Sequence, residues 1–375
     1  MKIALLLSHI SQSGVSTNTL DLARGLIKEG EQVVLITSGS MYNENKEIDN
    51  LVNKFKDLGI PIYYFVNSSK ITRLRWLKIF IDFYSFLQIS LFLLKVKPDM
   101  VHACSPYMSF IPKLLRIKFV TTLHIPILKP CFRLPQANSI ITISRETQKY
   151  ALTELDYCLE NTKMILHGVD EKFGVRSTSH EIENVLSKFS IPLDKILIGL
   201  VGTIEPRKGH DILVQAISFL PNECKTRIHV VFLGSTIHGE DITWLTDQIN
   251  ANDLKKNITF VPYRDPKILY DAFDICVMPS RMEAFGLVAI EAMMSECCTI
   301  RSNTEGAYDQ IIDGVDGLLF ENEDSLALSN ILKKVILDAD LRTSIAKKGK
   351  IKALDYFTKE RMVRETLDLY KKILN

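Results

Sequence analysis

The chain has 375 residues, of which 46% are hydrophobic and 24% are charged, and its formal net charge is +2. This composition is typical of a globular protein with a sizeable core, and no low-complexity segment or short repeat appears. The length predicts two domains, and we expect no nucleic-acid partner. Residues 1–170 are the basic part, with 20 Lys and Arg against 14 Asp and Glu.

The seven cysteines are scattered and form no C-x-x-C pair, so neither a zinc site nor a disulfide framework is indicated. Reduced thiols in the cytoplasm are therefore expected. The chain begins MKIALLLSHI, and the apolar run ends at Ser8, which is too short for the hydrophobic region of a signal peptide. We interpret this run as a first buried strand.

The first half alternates short apolar runs with segments of helix length, which predicts a parallel sheet covered by helices on both faces. A polar loop containing Gly14 follows the first strand and leads into a helix that ends at Gly30. Open α/β folds bind ligands at such junctions, so Gly14 is a candidate binding residue, although one glycine is no dinucleotide fingerprint. The predicted strands are residues 3–7, 33–37, 60–65, 99–104, 119–123 and 139–143.

Residues 70–97 form a long stretch that is both apolar and basic. Lys78, Asp82 and Gln88 interrupt the apolar run, which argues against a transmembrane helix. We predict an amphipathic helix that binds an anionic membrane surface through about residues 70–94. The alternative is a crossover helix packed on the sheet, and both hold if only the first turns are exposed. The basic cluster comprises Lys70, Arg73, Arg75 and Lys78.

A second alternating series of apolar runs follows a polar, poorly periodic segment that contains Pro192. The repeated pattern predicts two Rossmann-like domains with an active site in the cleft between them. The predicted strands are residues 195–202, 228–234, 258–262, 274–279, 297–300 and 316–320, and residues 322–375 are predicted to be helical. We therefore expect a first domain at 1–170, a linker at 171–194, a second domain at 195–357, and a helix at 358–375 that returns to the first domain.

Residues 279–293, PSRMEAFGLVAIEAM, predict the end of a strand, a tight loop and a helix. Glu283 lies in the loop and Glu291 about one turn into the helix. A helix start offers unpaired N–H groups and partial positive charge, which suits a phosphate group. Two carboxylates on either side of this start can hold hydroxyl groups that flank a diphosphate. A capped helix with two solvated acids is the alternative.

A similar junction opens the second domain in the segment GLVGTIEPRKGHDILVQAI. Gly202 and Thr203 follow the strand, and Arg207 and Lys208 precede the helix. Cations at a helix start neutralise a diphosphate while the N–H groups orient it. Two solvated surface cations are the alternative reading of this loop.

Together, GTIEPRKG and PSRMEAFGLVAIEAM resemble the motifs of the retaining GT-B glycosyltransferases, in particular family 4, the glycosyl transferases group 1. The segments DMVHACSP, TTLH, ILHGVD and TEGAYDQIIDGVDGLLF extend the resemblance over nearly the whole chain. It implies an α/β fold of the GT-B class, with two Rossmann-like domains whose parallel sheets face each other across a cleft. The second domain is then expected to bind a nucleotide-sugar and the first an acceptor.

The resemblance also implies roles for individual residues. Glu291 matches the acid that binds the ribose hydroxyls, and Glu283 matches the acid beside the donor sugar. Lys208 matches the phosphate-binding lysine, and His124 the first-domain histidine near the transferred sugar, so the predicted catalytic residues are Glu283, His124 and Lys208. The predicted substrate-binding residues are Gly14, Gly202, Thr203, Arg207, Lys208, Phe285, Gly286, Leu287, Val288 and Glu291.

Several positions depart from the family pattern. Thr203 stands where a second phosphate-binding cation is usual, so either Arg207 replaces that cation or the contact is absent. The first loop has Ser13 and Gly14 where two glycines are usual. The other departures are Cys104, His167, Glu296, Glu305 and Asp309.

The resemblance implies a retaining hexosyltransferase (EC 2.4) that uses a UDP- or GDP-linked sugar and a glycan or lipid-linked acceptor. The expected setting is bacterial envelope polysaccharide synthesis, such as O-antigen, lipopolysaccharide or capsule, by a cytoplasmic protein peripheral to the inner face of the membrane. No cofactor or metal is expected, and residues 313–316 are interpreted as a turn. The alternatives are a sugar-nucleotide epimerase of the same fold and a non-catalytic membrane-binding relative; the missing glycine fingerprint disfavours a dehydrogenase.

Overall fold

The computed structural model describes residues 1–11, 13–40, 46–68, 74–125, 128, 133–236 and 239–375, with the backbone alone for residues 46–50 and 75. Lys70 and Arg73 of the predicted basic cluster therefore lie outside the described residues. The chain forms two compact units. Unit 1 comprises Met1–Gly168 and Lys359–Asn375, and unit 2 comprises Val169–Thr358.

The sheet of unit 1 has seven parallel strands in the order β3-β2-β1-β4-β5-β6-β7. Side chains on both faces of β1 are buried, as expected for a strand that helices cover on either side. The strands are β1 (Lys2–Leu7), β2 (Gln32–Thr37), β3 (Ile62–Tyr64), β4 (Met100–Ala103), β5 (Phe119–Leu123), β6 (Ser139–Thr142) and β7 (Thr162–Met164).

Helices cover both faces of this sheet. One core cluster joins the sheet to the first and last helices of the chain, and a second joins it to the long helix at residues 75–96. The helices are α1 (Gly14–Lys28), α2 (Lys46–Lys56), α3 (Arg75–Val96), α4 (Phe110–Leu114) and α5 (Arg145–Glu154).

The sheet of unit 2 has six parallel strands in the order β10-β9-β8-β11-β12-β13. The strands are β8 (Ile196–Val201), β9 (Ile228–Leu233), β10 (Ile258–Val261), β11 (Ile275–Met278), β12 (Cys298–Ser302) and β13 (Leu318–Phe320). The strand order runs in opposite directions from β8 and β11. The loops that follow these two neighbours therefore meet at the carboxyl edge of the sheet, where this class of fold binds ligands.

Nine helices are described in unit 2, and a last one returns to unit 1. Those of unit 2 are α6 (Ser179–Lys188), α7 (His210–Ser218), α8 (Asn222–Lys225), α9 (Thr243–Ala251), α10 (Lys267–Ala272), α11 (Leu287–Met294), α12 (Ala307–Gln310), α13 (Ser325–Leu337) and α14 (Ala339–Tyr356). The last helix, α15 (Lys359–Leu374), packs against α1. It approaches closely because Gly25 has no side chain: a Cβ there would lie 2.2 Å from Val363.

The predicted α/β fold with two parallel sheets is confirmed, and each predicted strand overlaps an observed one. Strand β7 was not predicted, because its sequence, TKM, carries no apolar run. The segment 171–194, expected to link two domains, lies instead within unit 2. Its helix α6 begins with a capping box formed by Thr178 and Glu181 and packs against α10. Most of α6 is exposed, which explains its polar sequence.

Candidate functional site

Two loops of unit 2 lie side by side because they follow neighbouring strands. We name residues 202–209, after β8, the basic loop, and residues 279–286, after β11, the acidic loop. Gly209 has a φ of 72°, and a Cβ there would lie 2.0 Å from the carbonyl oxygen of Pro279. Arg281 N–H donates to the carbonyl of Arg207 at 2.8 Å. The sheet topology thus brings the two predicted motifs into contact.

The predicted catalytic residues Lys208 and Glu283 form an ion pair across these loops. Lys208 Nζ donates to Glu283 Oε2 at 2.6 Å, and the two side chains are only 14% and 18% exposed. Arg207 is more exposed, pairs with Glu205 at 2.6 Å and lies 3.9 Å from the same Glu283 oxygen. Two cations therefore flank one carboxylate in a partly buried setting, where charge interactions are stronger than in bulk water.

Two helices begin at these loops, and the N-cap residue of each is a glycine, which has no side chain to cap the helix. Helix α7 follows Gly209, and helix α11 follows Gly286. Gly286 has a φ of 80°, a conformation that glycine adopts at little cost. The first N–H groups of a helix have no partner within the helix and carry partial positive charge. Backbone and side chains therefore favour an anion at the same place.

A buried arginine that sequence reasoning missed fixes the acidic loop. Arg301 lies in β12, is fully buried, and donates to the carbonyl of Phe285 at 3.0 Å and to the Gln310 side chain. It also donates to residues 304–305 at 3.3 and 3.2 Å. Gln310, equally buried, donates to the carbonyl oxygens of Phe285 and Gly286. Arg301 and Gln310 thus form a polar clamp on the loop.

This clamp orients the peptide planes at the start of α11. In a trans peptide, the C=O of one residue and the N–H of the next point in opposite directions. Because the clamp holds the carbonyls of Phe285 and Gly286, the N–H groups of Gly286 and Leu287 point away from it. The available sequence signal was Arg301 itself, since a buried strand tolerates a charge only when its donors are satisfied.

Glu291 has a buried partner that sequence reasoning also missed. Tyr270 Oη donates to Glu291 Oε2 at 3.0 Å. The Tyr270 ring is 0% exposed and packs edge-on against Phe173 and Phe273. Burial, reinforced by Glu291, raises the pKa of Tyr270 well above its usual value, so the hydroxyl remains a donor. Nothing in the pattern around Tyr270 distinguishes it from an ordinary core tyrosine.

Arg281 attaches the acidic loop to the rest of unit 2. Its guanidinium forms a two-pronged ion pair with Asp211 at 2.6 and 2.9 Å, and its Nε donates to Glu323 at 2.8 Å. The hydrogen bond to Asp211, followed by that to Glu323, raises the pKa of Arg281. This third cation of the site is thus engaged in structural ion pairs and was not among the predicted residues.

The other predicted binding residues of unit 2 lie at the same edge of the sheet. Gly202, with a φ of 150°, and Thr203 are half-buried after β8. Leu287 and Val288 are half-buried in the first turn of α11, and Phe285 is buried before it. The structure therefore gathers all the predicted second-domain residues around the two loops.

His124 belongs to unit 1, directly after β5. Its ring stacks on that of His167, with 3.3 Å between His124 Nδ1 and His167 Nε2. His124 is half-buried, and burial lowers its pKa to about 4. Burial, followed by the proximity of His124, lowers the pKa of His167 well below its usual value. Both rings are therefore neutral at pH 7, and each offers one donor and one acceptor.

Gly14 is the first residue of α1 in unit 1. The Ser13 side chain caps this helix and accepts a hydrogen bond from Ser16 N–H at 3.4 Å. The φ of Gly14 is not positive, and a Cβ added there would meet nothing within 4 Å. The local backbone therefore does not require glycine, and a contact between Gly14 and a diphosphate stays a prediction.

Within the described ranges, no group of three His, Cys, Asp or Glu side chains is arranged to hold a metal ion. The two acids of the segment 313–316 bond to backbone instead. Asp313 accepts from Leu319 N–H at 2.9 Å, and Asp316 accepts from Ile312 N–H at 2.7 Å. These are the contacts of a turn.

Solved structures share this architecture. A glycosyltransferase from Rickettsia africae has a TM-score of 0.84 and 21% identity, over 100% of this chain and 98% of that one. HepE from Anabaena, solved in complex with UDP, has a TM-score of 0.82 and 19% identity, over 99% of this chain and 100% of that one. The chain therefore has the α/β fold of the GT-B glycosyltransferases.

Sequence comparisons identify the family. The profile of Glycosyltransferase Family 4 matches residues 12–173, and that of Glycosyl transferases group 1 matches residues 181–352. A capsular polysaccharide biosynthesis glycosyltransferase, CapM from Staphylococcus aureus, is 28% identical over 64% of this chain and 62% of CapM. This and the next relatives are matched over less than two thirds of their own length. The chain belongs to the group 1 glycosyltransferases of family 4.

Proposed function

We propose that this protein transfers a hexose from a nucleotide-sugar to an acceptor hydroxyl with retention of anomeric configuration. One observation carries the proposal: Lys208, Glu283 and Glu291 lie around the start of α11. A nucleotide-sugar has an anionic diphosphate between two groups rich in hydroxyls. We assign the diphosphate to Lys208 and the N–H groups at this helix start, the ribose to Glu291 and the sugar to Glu283.

Lys208 can serve the donor without losing Glu283. An ammonium group has three N–H donors, and the ion pair with Glu283 uses one of them. A second donor can then reach a phosphate oxygen while Glu283 keeps the ammonium group in place. Arg207, the more exposed cation of the basic loop, is the candidate ligand for the other phosphate group. It would replace the cation that is usual at the position of Thr203.

In the proposed reaction, the acceptor oxygen forms a bond to the anomeric carbon while the bond from that carbon to the diphosphate oxygen breaks. The acceptor proton passes to the departing diphosphate oxygen on the same face of the sugar, so no protein nucleophile is required. Negative charge grows on the diphosphate during this step. Cations and N–H groups aimed at it stabilise the transition state, and each such donor contributes about 3 kcal/mol.

The donor nucleotide is proposed to be UDP or GDP, and the UDP complex of HepE supports this choice. The acceptor is proposed to be a glycan or lipid-linked intermediate of bacterial envelope polysaccharide synthesis. The similarity to CapM, a glycosyltransferase of capsular polysaccharide biosynthesis, supports this setting. Unit 1 would bind this acceptor, with neutral His124 near the transferred sugar. We further propose that the protein works in the cytoplasm at the inner face of the membrane. We also propose that the reaction needs no metal, because Lys208, Arg207 and the helix start supply positive charge.

Calorimetry with UDP, GDP and ADP tests the donor site. Glu291→Ala and Lys208→Ala should each weaken binding of the preferred nucleotide by about tenfold or more, the typical effect of a hydrogen bond to a charged group. Charge-matched controls are Glu223→Ala and Lys256→Ala, at exposed positions of the same unit, which should bind like the wild type. Equal binding by the site variants and the controls would contradict the assignment.

Product analysis separates the proposed transfer from the alternatives. NMR of the nucleotide-sugar incubated with the protein alone should show no change of sugar configuration, whereas an epimerase would convert the sugar without an acceptor. The anomeric proton of the transfer product reports retention, and an inverted product would refute the mechanism but not the donor site. Vesicle binding without any nucleotide binding would identify a non-catalytic relative.

A further inference from the structure

Helix α3 of unit 1 exposes an apolar face that no other described residue covers. An 18-residue window within residues 76–96 has a mean hydropathy of 1.7, high enough by composition for a membrane-crossing helix, yet only 22% of that window is buried. A helix with so much apolar surface is normally buried, and the described residues leave this face of α3 without a packing partner. Its most exposed large side chains, each between 54% and 68% exposed, are Trp76, Ile79, Phe80, Phe83, Leu91 and Leu94.

These side chains form one continuous stripe, which we name the α3 stripe. At about 100° per residue, all six lie within about 65° of one line along the helix, and Leu87, 42% exposed, lies on the same side between Phe83 and Leu91. The stripe is about 27 Å long at 1.5 Å per residue. At about 100° per residue, Lys78 lies about 160° around the helix from the centre of the stripe, Asp82 about 120° and Lys95 about 100°. The exposed stripe therefore contains no charged group.

The opposite side of α3 is held on the sheet of unit 1. Ile89 and Leu93 are 3% and 0% exposed within the core. Gln88 Oε1 accepts from Val66 N–H at 2.9 Å, and Ser85 Oγ donates to the Val66 carbonyl. A helix that crossed a bilayer would lose all these contacts. The α3 stripe can thus meet a membrane only by lying along its surface.

We propose that the α3 stripe inserts into the interface of an anionic lipid leaflet. Residues 74–118 carry seven Lys and Arg against two Asp, a net charge of +5, whereas the whole chain carries +2. Anionic headgroups attract such a segment. A second copy of the chain is disfavoured as the partner, because a two-fold interface would place two of these positively charged segments against each other, where they would repel. Trp76 and Tyr84 are residue types that favour the membrane–water boundary.

Membrane binding by the α3 stripe would bring unit 1 to a lipid-linked acceptor, and only this purpose rests on the proposed function. Sedimentation of the full chain with vesicles of phosphatidylglycerol and phosphatidylcholine tests it. The double variant Phe80→Ser, Phe83→Ser should lower the vesicle partition coefficient by about tenfold or more, since it removes apolar area only from the exposed side. If this variant binds like the wild type, the proposal is overturned.

A matched control and a parallel measurement keep the outcomes distinct. Leu326→Ser with Ile351→Ser changes side chains that are 57% and 62% exposed in unit 2 and should leave vesicle binding unchanged. Calorimetry with UDP or GDP on the same samples shows whether the donor site is intact. Lost nucleotide binding with intact vesicle binding would refute the proposed function alone, whereas the converse would refute the membrane proposal alone.

Two further measurements identify the partner of the α3 stripe. In a Trp244→Phe variant, the emission of Trp76 should shift to the blue with phosphatidylglycerol vesicles, and less so at high salt or with neutral vesicles. An unchanged emission would overturn the insertion. Light scattering without lipid should show a monomer, and a dimer that Phe80→Ser, Phe83→Ser dissociates would instead identify a second copy as the partner.

Discussion

Replacing Tyr270 by Phe removes one hydroxyl group from beside the predicted ribose-binding acid. Tyr270 Oη donates to Glu291 Oε2 at 3.0 Å and lies in the core of unit 2. The ring keeps its edge-on packing against Phe173 and Phe273, so Tyr270→Phe opens space for no more than one oxygen atom. The substitution therefore tests the hydrogen bond rather than the packing.

Two effects of different size are expected. The hydrogen bond to a charged acceptor exists in the folded protein with or without donor, so its loss should lower the free energy of unfolding by about 1.5–3 kcal/mol. Nucleotide affinity should change less. In the variant, the only additional cost of binding is that of ordering the Glu291 side chain, which Tyr270 no longer holds. That ordering costs about 0.5–1.5 kcal/mol, which corresponds to a dissociation constant about two- to tenfold higher.

Calorimetry with UDP and 2′-deoxy-UDP, or the guanosine pair if GDP is preferred, provides the assay. If Glu291 binds the ribose hydroxyls as proposed, the wild type should favour the ribonucleotide, and Tyr270→Phe should reduce this preference. Denaturant unfolding of the same variant gives the stability change. The reasoning is refuted if Tyr270→Phe loses stability but retains both the affinity and the ribose preference of the wild type.

Substitutions at three other positions test further features of unit 2. Arg301→Met should cost about 1–3 kcal/mol of stability for each buried acceptor left without a donor, and it should weaken binding of UDP or GDP. Arg301→Lys keeps the charge but not the forked geometry of the guanidinium group. If the Arg301→Lys variant bound nucleotide like the wild type, the role of the clamp would be contradicted. Gly209→Ala should abolish nucleotide binding, because its Cβ would meet the Pro279 carbonyl, whereas Gly30→Ala, also at a positive φ but with open space around it, should lose only about 1–2 kcal/mol of stability. Burial lowers the pKa of His210 to about 4, below its unfolded value of about 6.5, so protons bind preferentially to the unfolded chain between these values and stability falls as the pH decreases through that window. Between pH 7 and pH 5, His210 should lower the free energy of unfolding by about 2 kcal/mol. Denaturant unfolding of His210→Leu should therefore show a decrease that is smaller by this amount than in the wild type. Equal decreases in both proteins would exclude His210 as the cause.

Much of the fold could be predicted from the sequence, because strands buried on both faces appear as short apolar runs whatever their neighbours are. The run at residues 3–7 and the run at 228–234 both form interior strands of their sheets. Segments that lack such a run were harder to assign. Strand β7 was missed, and helix α6 was taken for a linker because its solvent-facing residues are polar.

The two donor motifs were also visible in sequence, since glycines, cations and acids around a helix start form a local pattern. Their meeting was not local. Lys208 and Glu283 are in contact because β8 and β11 are neighbours in the sheet, and pairing between distant strands leaves no mark at either position. Tyr270 and Arg301 escaped prediction for the same reason. Each is identified by its partner, Glu291 for the first and the Phe285 carbonyl for the second.

The exposure of α3 could not be predicted from its sequence. The sequence of α3 is apolar over most of its length, so its hydropathy alone is as compatible with a core helix as with a surface helix. The structure anchors one side to the sheet through Ile89 and Leu93 and leaves the α3 stripe in solvent. The amino-acid sequence fixes which residues are charged and which are apolar, whereas the packing of the chain fixes which of them lie in the two loops, in the core or in solvent.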